Sequence, residues 1–350
     1  MKKFSVLFLA LFASVSLWAI TKDLDGYYIL ASAQDWIDFA DTVENRDNAA
    51  NARMVADIDL GDNQTMIGSD FHHYNGIFDG QGHTLTVAYN SVSGNQRFLA
   101  PFRFVDGRNM VYYTNPYAII KNLHVAGSIT NSYYGVGGIV GEIKGNVKIL
   151  QCWCSARLQA VATGDFQGTI GGICCIITGQ SCEAFVEDCM FTGEIVNSYA
   201  CGGFMSHLED HPSTVTIKRG LLLGTYPEST GSCGTFVRTV VTDTDTRILE
   251  NNTLFMKKAF GVSQGTLVYD NDLNDGWVTN ALQADREEVV WYQDNMVNQP
   301  RLQIFTTPIG PSTAIDAVNA NDKTTKRVVD GQLIIEKNGK FYNATGAEVK

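Results

Sequence analysis

The sequence predicts an all-β chain folded as a parallel β-solenoid, and three observations carry that prediction. A Gly-Gly-aliphatic triplet recurs as Gly137-Gly138-Ile139, Gly171-Gly172-Ile173 and Gly202-Gly203-Phe204, with a weaker copy at Cys233-Gly234-Thr235-Phe236-Val237. A second block recurs in step: NLHVAGSI from Asn122, QCWCSARL from Gln151, DCMFTGEI from Asp188 and RGLLLGTY from Arg219. Inside these blocks apolar residues alternate, so that Leu123, Val125 and Ile129 match Cys152, Cys154 and Leu158, then Cys189, Phe191 and Ile195. A period of two marks a strand with one buried face. A repeat of roughly 30 residues with no helical pattern between copies fits coils that each bury their inward face on the next.

The stretch YYGVGGIVGEIKG, residues 133–145, also invites a phosphate-cradling reading. The dinucleotide fingerprint needs a third glycine three residues after the second, opening a helix. Val140 stands at that place, and no Gly-Lys-Ser/Thr follows. The pair also returns downstream, whereas a cofactor loop needs to occur once. These glycines are therefore read as a tight corner entering a strand, where glycine allows a bend or a positive φ.

Along the chain, residues 1–19 have the layout of a secretory signal peptide: Lys2 and Lys3, an apolar run from Phe4, then small residues to Ala19. No other stretch is apolar enough to span a membrane. Residues 20–60 form an entry module with one helix, for which Ser32 is the cap, Gln34 and Asp35 the first turn, and Trp36, Phe39 and Val43 the buried face. The repeats occupy 61–240. Residues 241–305 are expected to cap the open end of the solenoid, with Trp277, Trp291 and Tyr292 as capping aromatics. A linker rich in Thr, Pro, Ala and Asn covers 306–324. The tail, 325–350, alternates apolar residues around turns at Asp330-Gly331 and Asn338-Gly339, the pattern of a small β meander.

GGIVGEIKG and its copies resemble GLUG repeats, which occur in secreted and surface proteins of bacteria. YYILASAQDWIDFADTVEN, ARMVADIDL and GIFDGQGHTLTV resemble the entry module of such solenoids. The resemblance covers roughly residues 26–305. It implies a right-handed parallel β-helix and an adhesin-like surface role, neither of which follows from spacing. The tail resembles the C-terminal sorting signal of type IX cargo, which implies passage through an export machinery.

Charge and chemistry narrow the function. The formal charge of −11 disfavours nucleic acid and anionic lipid as partners. All eight cysteines lie between Cys152 and Cys233. Cys152 and Cys189 occupy equivalent places, a spacing that permits a disulfide, although a buried ladder of free thiols is the favoured reading. No Cys-x-x-Cys occurs, so zinc held by cysteine is disfavoured. Adjacent His72 and His73 would point opposite ways, and His83 is read as satisfying a turn. Asp270, Asp272 and Asn274 offer oxygen ligands at alternate positions, the one calcium candidate, but Gly276 and Ala281 stand where an EF-hand loop would not place them. Glu142, Lys144 and Lys148 are expected to be outward charges. Asp188 aligns with Gln151 and Asn122, and Glu194 with Arg157 and Ser128, so no carboxylate column recurs on stacked coils.

These residues assign no catalytic, cofactor or metal site. The expectation is an exported, non-enzymatic module for adhesion to an extracellular glycan or a host or matrix protein. A long insertion after Leu158, QAVATGDFQGTI, offers Asp165 and Phe166 as a binding tip. The alternative is a polysaccharide lyase or glycoside hydrolase built on the same scaffold, with acids converging on one face.

Overall fold

The computed structural model describes residues 20–91, 96–107, 117–161, 168–179, 181–196, 199–208, 213–228, 232–238, 246–293 and 299–305, together with the backbone of four strands between 324 and 349. Residues 1–19, most of the linker, the turns of the tail and the Asp165–Phe166 tip lie outside the described residues. The chain divides into two units, Met1–Pro308 and Ile309–Lys350.

The first unit is a parallel β-solenoid. A full coil runs through four strands, as in Ala118–Lys121, His124–Asn131, Gly135–Gly137 and Val140–Ile143. The next coils repeat that order from Val147 to Ile177 and from Glu183 to Leu208. Stacking generates four parallel sheets. The first has eight strands, from Tyr28–Leu30 to Thr246–Leu249; the second has ten, from Ile58–Asp59 to Thr266–Leu267; the third and fourth have four each. Register is strict. Ile149 pairs with Ile120 and Val186, Leu158 with Ile129 and Ile195, and Val140 with Phe102 and Cys174. All of these inward residues are buried, which is what the sequence alternation demands.

Two of the corners of a coil use different chemistry. Between the first and second sheets stand Asn122, Gln151, Asp188 and Arg219, with φ between +50° and +55°. They are the opening residues of the four sequence blocks. None is glycine, although the left-handed region costs an L-residue roughly 1–2 kcal/mol. The Gly-Gly corner, between the third and fourth sheets, has no positive φ at either glycine of the three strong copies. Its glycines are required for clearance. A Cβ on Gly137, Gly171 or Gly202 would lie 1.7–1.8 Å from the carbonyl oxygen three residues ahead in the same corner. A Cβ on Gly138, Gly172 or Gly203 would lie 2.0–2.1 Å from a carbonyl oxygen of the next coil. The first glycine closes the corner, and the second lets the coils stack. The weak copy follows the same path, with Gly234 bridged to Gly202 and Val237 to Met205.

Helix α1, Ala33–Asn45, closes the N-terminal end. Ser32 accepts from the Asp35 amide at 3.2 Å, and the Asp35 carboxylate accepts in return from the Ala31 amide at 3.0 Å. Its apolar face drives Trp36 edge-on into Phe78 and Phe102, while Phe39 packs on Tyr74 and Tyr28.

At the other end the strands Thr246–Leu249 and Leu254–Met256 continue the ladder beyond residue 240. Arg247 is paired with inward-facing Val215 yet is exposed, so a charge occupies a core register on the terminal strand. Such a residue blunts an edge against further pairing.

From Asp270 onward, the segment expected to cap that end forms a strap along the flank. Helices α2, Asp270–Asn274, and α3, Trp277–Gln283, begin beside the last coil, where Trp277 meets Phe255 edge-on at 5.4 Å. Trp291 reaches Asp188, and Phe305 lies 5.8 Å from Trp153 and 6.0 Å from His124. Ile304 sits over Gly82. The strap thus runs back along the second sheet. The cause is the outward column of that sheet: Trp153, Met190, Leu221 and Phe255 form an apolar stripe that packs with Val278, Leu282, Trp291 and Leu302. Trp291 is buried there, while Trp277 and Tyr292 remain partly exposed.

The second unit is a four-stranded antiparallel meander, Thr324–Val329, Gln332–Lys337, Lys340–Tyr342 and Glu348–Val349, each strand paired with the next.

Candidate functional site

Solvent access to the outer faces of the coils decides where a partner can reach the solenoid. The strap covers the Trp153, Met190, Leu221 and Phe255 column of the second sheet, while Arg157 and Glu194 further along its strands stay exposed. Outside the fourth sheet, Phe98, Phe104, Cys175 and Ile176 form a separate apolar layer and are all buried. The outward positions of the first sheet are different. Ile119, Lys148, Phe185 and Thr216 stand in one register column, partly exposed, and Ile248 continues it at 45% exposure.

Two aromatic rings, Phe185 in this column and Tyr117 beside it, stand out on the face. Tyr117 precedes its strand and leans across the intervening coil to Glu183, donating its hydroxyl at 2.5 Å. Its ring meets that of Phe185 edge-on at 5.8 Å. The Lys148 ammonium lies 4.3 Å from the Tyr117 ring centroid and 5.8 Å from that of Phe185. The hydrogen bond to Glu183, helped by partial burial, pushes the Tyr117 phenol up to about 12. Alternation explains the placement: Ala118, Val147 and Ala184 face the core, so their neighbours at 117, 148, 183 and 185 face out. The patch offers two apolar ring faces with a cation and a carboxylate between them. That combination suits a ligand with an apolar face and polar edges.

A second polar arrangement was not singled out by the sequence. The His124 imidazole stacks on Trp153 at 3.7 Å, with Nε2 2.7 Å from Ser155 Oγ and Nδ1 3.0 Å from Thr84 Oγ1. Burial lowers its pKa to about 4, against the pull of Asp57, so it is neutral at pH 7. A serine within hydrogen-bond reach of a neutral histidine resembles half of a nucleophile–base pair. Here the Ser155 amide already donates to the Val125 carbonyl, and Phe305 of the strap closes over the imidazole. The arrangement satisfies a buried histidine and seats the strap. Only the stacking of three coils brings Thr84, His124 and Ser155 together, so a linear reading has no signal for it.

The residues singled out from sequence fall as follows. His72 reaches Glu44 at 3.2 Å and His73 reaches Asp106 at 3.5 Å, so the two imidazoles serve separate partners. His83 pairs with Asp57 at 3.2 Å, while its amide closes a turn on the Gly80 carbonyl. Asp270, Asp272 and Asn274 lie on α2, where side chains two residues apart diverge. Asp270 pairs with Lys257 at 2.6 Å, and Asp272 accepts from the Tyr269 amide at 2.8 Å as a helix cap. Among the described residues, no three His, Cys, Asp or Glu side chains are grouped to hold a metal ion.

Lys148 is outward, as expected, but Glu142 is not: it is 1% exposed, held by Lys144 at 3.4 Å and by the Thr178 hydroxyl. The apolar layer outside the fourth sheet buries it. Glu194 and Arg157 form the ion pair that their register allows, at 3.0 Å. All eight cysteines are buried.

A cavity of about 350 Å³ opens between α1 and the loop at Gly68–Ser69, lined by Asp41, Glu44, Asn45 and Arg103 among others. Its lining carries no aromatic platform. No helix among the described residues is long and apolar enough to cross a membrane.

Fold and surface together define a class: a parallel β-solenoid with a capped N-terminal end, one strapped flank and an open sheet face. Comparison with protein-family profiles, curated proteins and solved structures finds no match for this chain.

Proposed function

We propose that the protein is an exported, non-enzymatic binding module whose open first-sheet face engages an extracellular glycan, or a host or matrix protein displaying one. The observation that carries this reading is the Tyr117–Lys148–Glu183–Phe185 patch on the open first-sheet face. Sugar rings present apolar C–H faces and hydroxyl edges, which pair with aromatic faces and with an ammonium–carboxylate couple. A parallel sheet also repeats its outward positions at about 4.8 Å per coil, close to the scale on which an extended polymer repeats its groups. The GLUG-like repeats and the signal-like and sorting-like termini support the same surface role.

The test is a glycan array and a panel of immobilised matrix glycoproteins, probed with wild-type protein and with Phe185→Ala and Lys148→Ala. Each substitution is expected to weaken the strongest hit about tenfold, a loss of about 1.4 kcal/mol. Binding that survives both changes places the ligand elsewhere and overturns the reading. Depolymerisation of acidic polysaccharides by the purified protein would instead support the lyase or hydrolase alternative.

A further inference from the structure

The eight cysteines are not distributed evenly with respect to their neighbours on adjacent coils. Cys154 faces Val125 and Phe191, Cys174 faces Val140 and Met205, and Cys175 lies beside Ser206. Cys182 donates to the Lys144 carbonyl. Only two cysteine pairs share a register position. Trp153 pairs with Met190, which sets Cys152 beside Cys189, and the Met190 amide donates to the Cys152 carbonyl at 2.9 Å. Gly202 bridges Gly234, which sets Cys201 beside Cys233, and the Gly234 amide donates to the Cys201 carbonyl at 3.0 Å. The Cys152 thiol donates to the Leu150 carbonyl at 3.3 Å and the Cys189 thiol to the Glu187 carbonyl at 3.4 Å, and in each pair the neighbouring thiol raises the pKa of its partner.

We propose that these two pairs are disulfide sites that staple the coil spanning Glu183–Leu208 to both of its neighbours. That coil carries Cys189 at the corner between its first two sheets and Cys201 in the strand Ala200–Gly202, and the two meet cysteines on opposite sides of the stack. Adjacent parallel strands lie about 4.8 Å apart, inside the range of Cα separations, about 4.4–6.8 Å, that a disulfide bridges. The register that aligns the core therefore also aligns the sulfurs.

The co-reactant is a low-molecular-weight disulfide such as oxidised glutathione. One cysteine thiolate attacks it, forming a mixed disulfide and releasing one glutathione. The second thiolate then attacks the protein sulfur of that mixed disulfide and releases the other glutathione. Two protein thiols are oxidised, one glutathione disulfide is reduced, and the two thiol protons end on two glutathione molecules. Burial raises the pKa of Cys189, and hydrogen bonding to Cys233 together with burial raises that of Cys201, so both are protonated once packed. Exchange therefore belongs to the folding chain or to an opened coil.

The full-length protein is denatured, reduced and refolded in a glutathione redox buffer until the native far-UV spectrum returns. It is then alkylated and mapped without reduction. The expected map has two linked peptides, Cys152–Cys189 and Cys201–Cys233, with alkyl groups on Cys154, Cys174, Cys175 and Cys182. In Cys201→Ala the first link persists and Cys233 becomes alkylated. Each link is expected to lower the unfolding equilibrium constant about 100-fold relative to the reduced form. Native-like protein with eight alkylated thiols, or with predominant links between other pairs, overturns the proposal. Correct links that leave the urea midpoint unchanged overturn the stapling role.

Discussion

Replacing Gly172 by alanine separates two accounts of the repeated glycine pair. Gly172 has no positive φ, so on backbone torsion alone the substitution should stabilise the protein by about 0.4–1 kcal/mol, through lower entropy of the unfolded chain. The packing argues the opposite sign. The new Cβ would lie 2.0 Å from the Gly203 carbonyl oxygen and 2.9 Å from the Phe191 ring, whereas ordinary contact begins at 3.4 Å. The adjoining coils must part locally by more than an ångström. Three backbone hydrogen bonds cross that gap: the Gly172 amide to the Gly202 carbonyl at 3.2 Å, and the Ile173 and Cys174 amides to the Phe204 carbonyl at 2.9 Å. Loosening three bonds at about 1 kcal/mol each, and displacing a buried ring, costs roughly 3–5 kcal/mol. That is a large fraction of an ordinary domain's stability. Urea titration followed by far-UV circular dichroism reads the change, with the slope compared between variants to confirm that the same cooperative unit unfolds. Gly276→Ala is the control, because Gly276 has φ +81° and nothing within 4 Å of its notional Cβ. It should cost about 1–2 kcal/mol from strain alone. A Gly172→Ala protein as stable as wild type, or more so, would refute the claim that the second glycine exists for coil stacking.

Two further outcomes follow from the strap. His124 has a folded pKa of about 4 against 6.5 for an ordinary histidine, so below pH 6.5 the unfolded chain takes up a proton that the folded protein refuses. Its contribution is present above pH 6.5 and is lost as the pH falls towards 4, by up to about 3 kcal/mol. Denaturation curves at stepped pH for wild type and His124→Gln should therefore converge over that window, and parallel curves would contradict the assignment. Trp291→Phe keeps a ring in the strap but removes the indole donor, at 2.7 Å, from the buried Asp188 carboxylate, which then retains only Arg286 at 2.9 Å. The expected cost is about 1–3 kcal/mol. Amide exchange should accelerate across the strap, while the Ile173 amide at the glycine corner keeps its protection; equal acceleration at both places would show that the strap is not a separate unit.

The solenoid was legible because repetition amplifies weak signals. Leu123, Cys152 and Cys189 individually say little, but their recurrence at one register position says that each is stacked on the next. The helix was legible for the opposite reason, since Ser32, Asp35, Trp36 and Phe39 are a local pattern whose meaning needs nothing beyond one turn of chain. The corner chemistry was only half legible. Glycine marked the place where coils approach closely, but the positive φ belongs to Asn122, Gln151, Asp188 and Arg219, of which only Asn122 and Asp188 are types that favour the left-handed region. Three of them are held by partners that only the fold supplies. Asn122 donates to Asp79 at 2.9 Å, Asp188 accepts from the strap, and Arg219 bridges Glu187 and the Ala284 carbonyl.

The candidate surface was hidden for a related reason. An alternating strand reveals which residues face outward, but not whether a later segment returns to cover them. Met190, Leu221 and Phe255 on the second sheet, and Phe185 on the first, are all outward apolar residues in the sequence pattern. The strap buries the first three and leaves Phe185 partly exposed. Outward aromatics on a repeat protein are therefore ambiguous until the path of the non-repeating segment is known. In this chain that path leads along the second sheet, and it is the reason the binding reading rests on Tyr117, Lys148, Glu183 and Phe185.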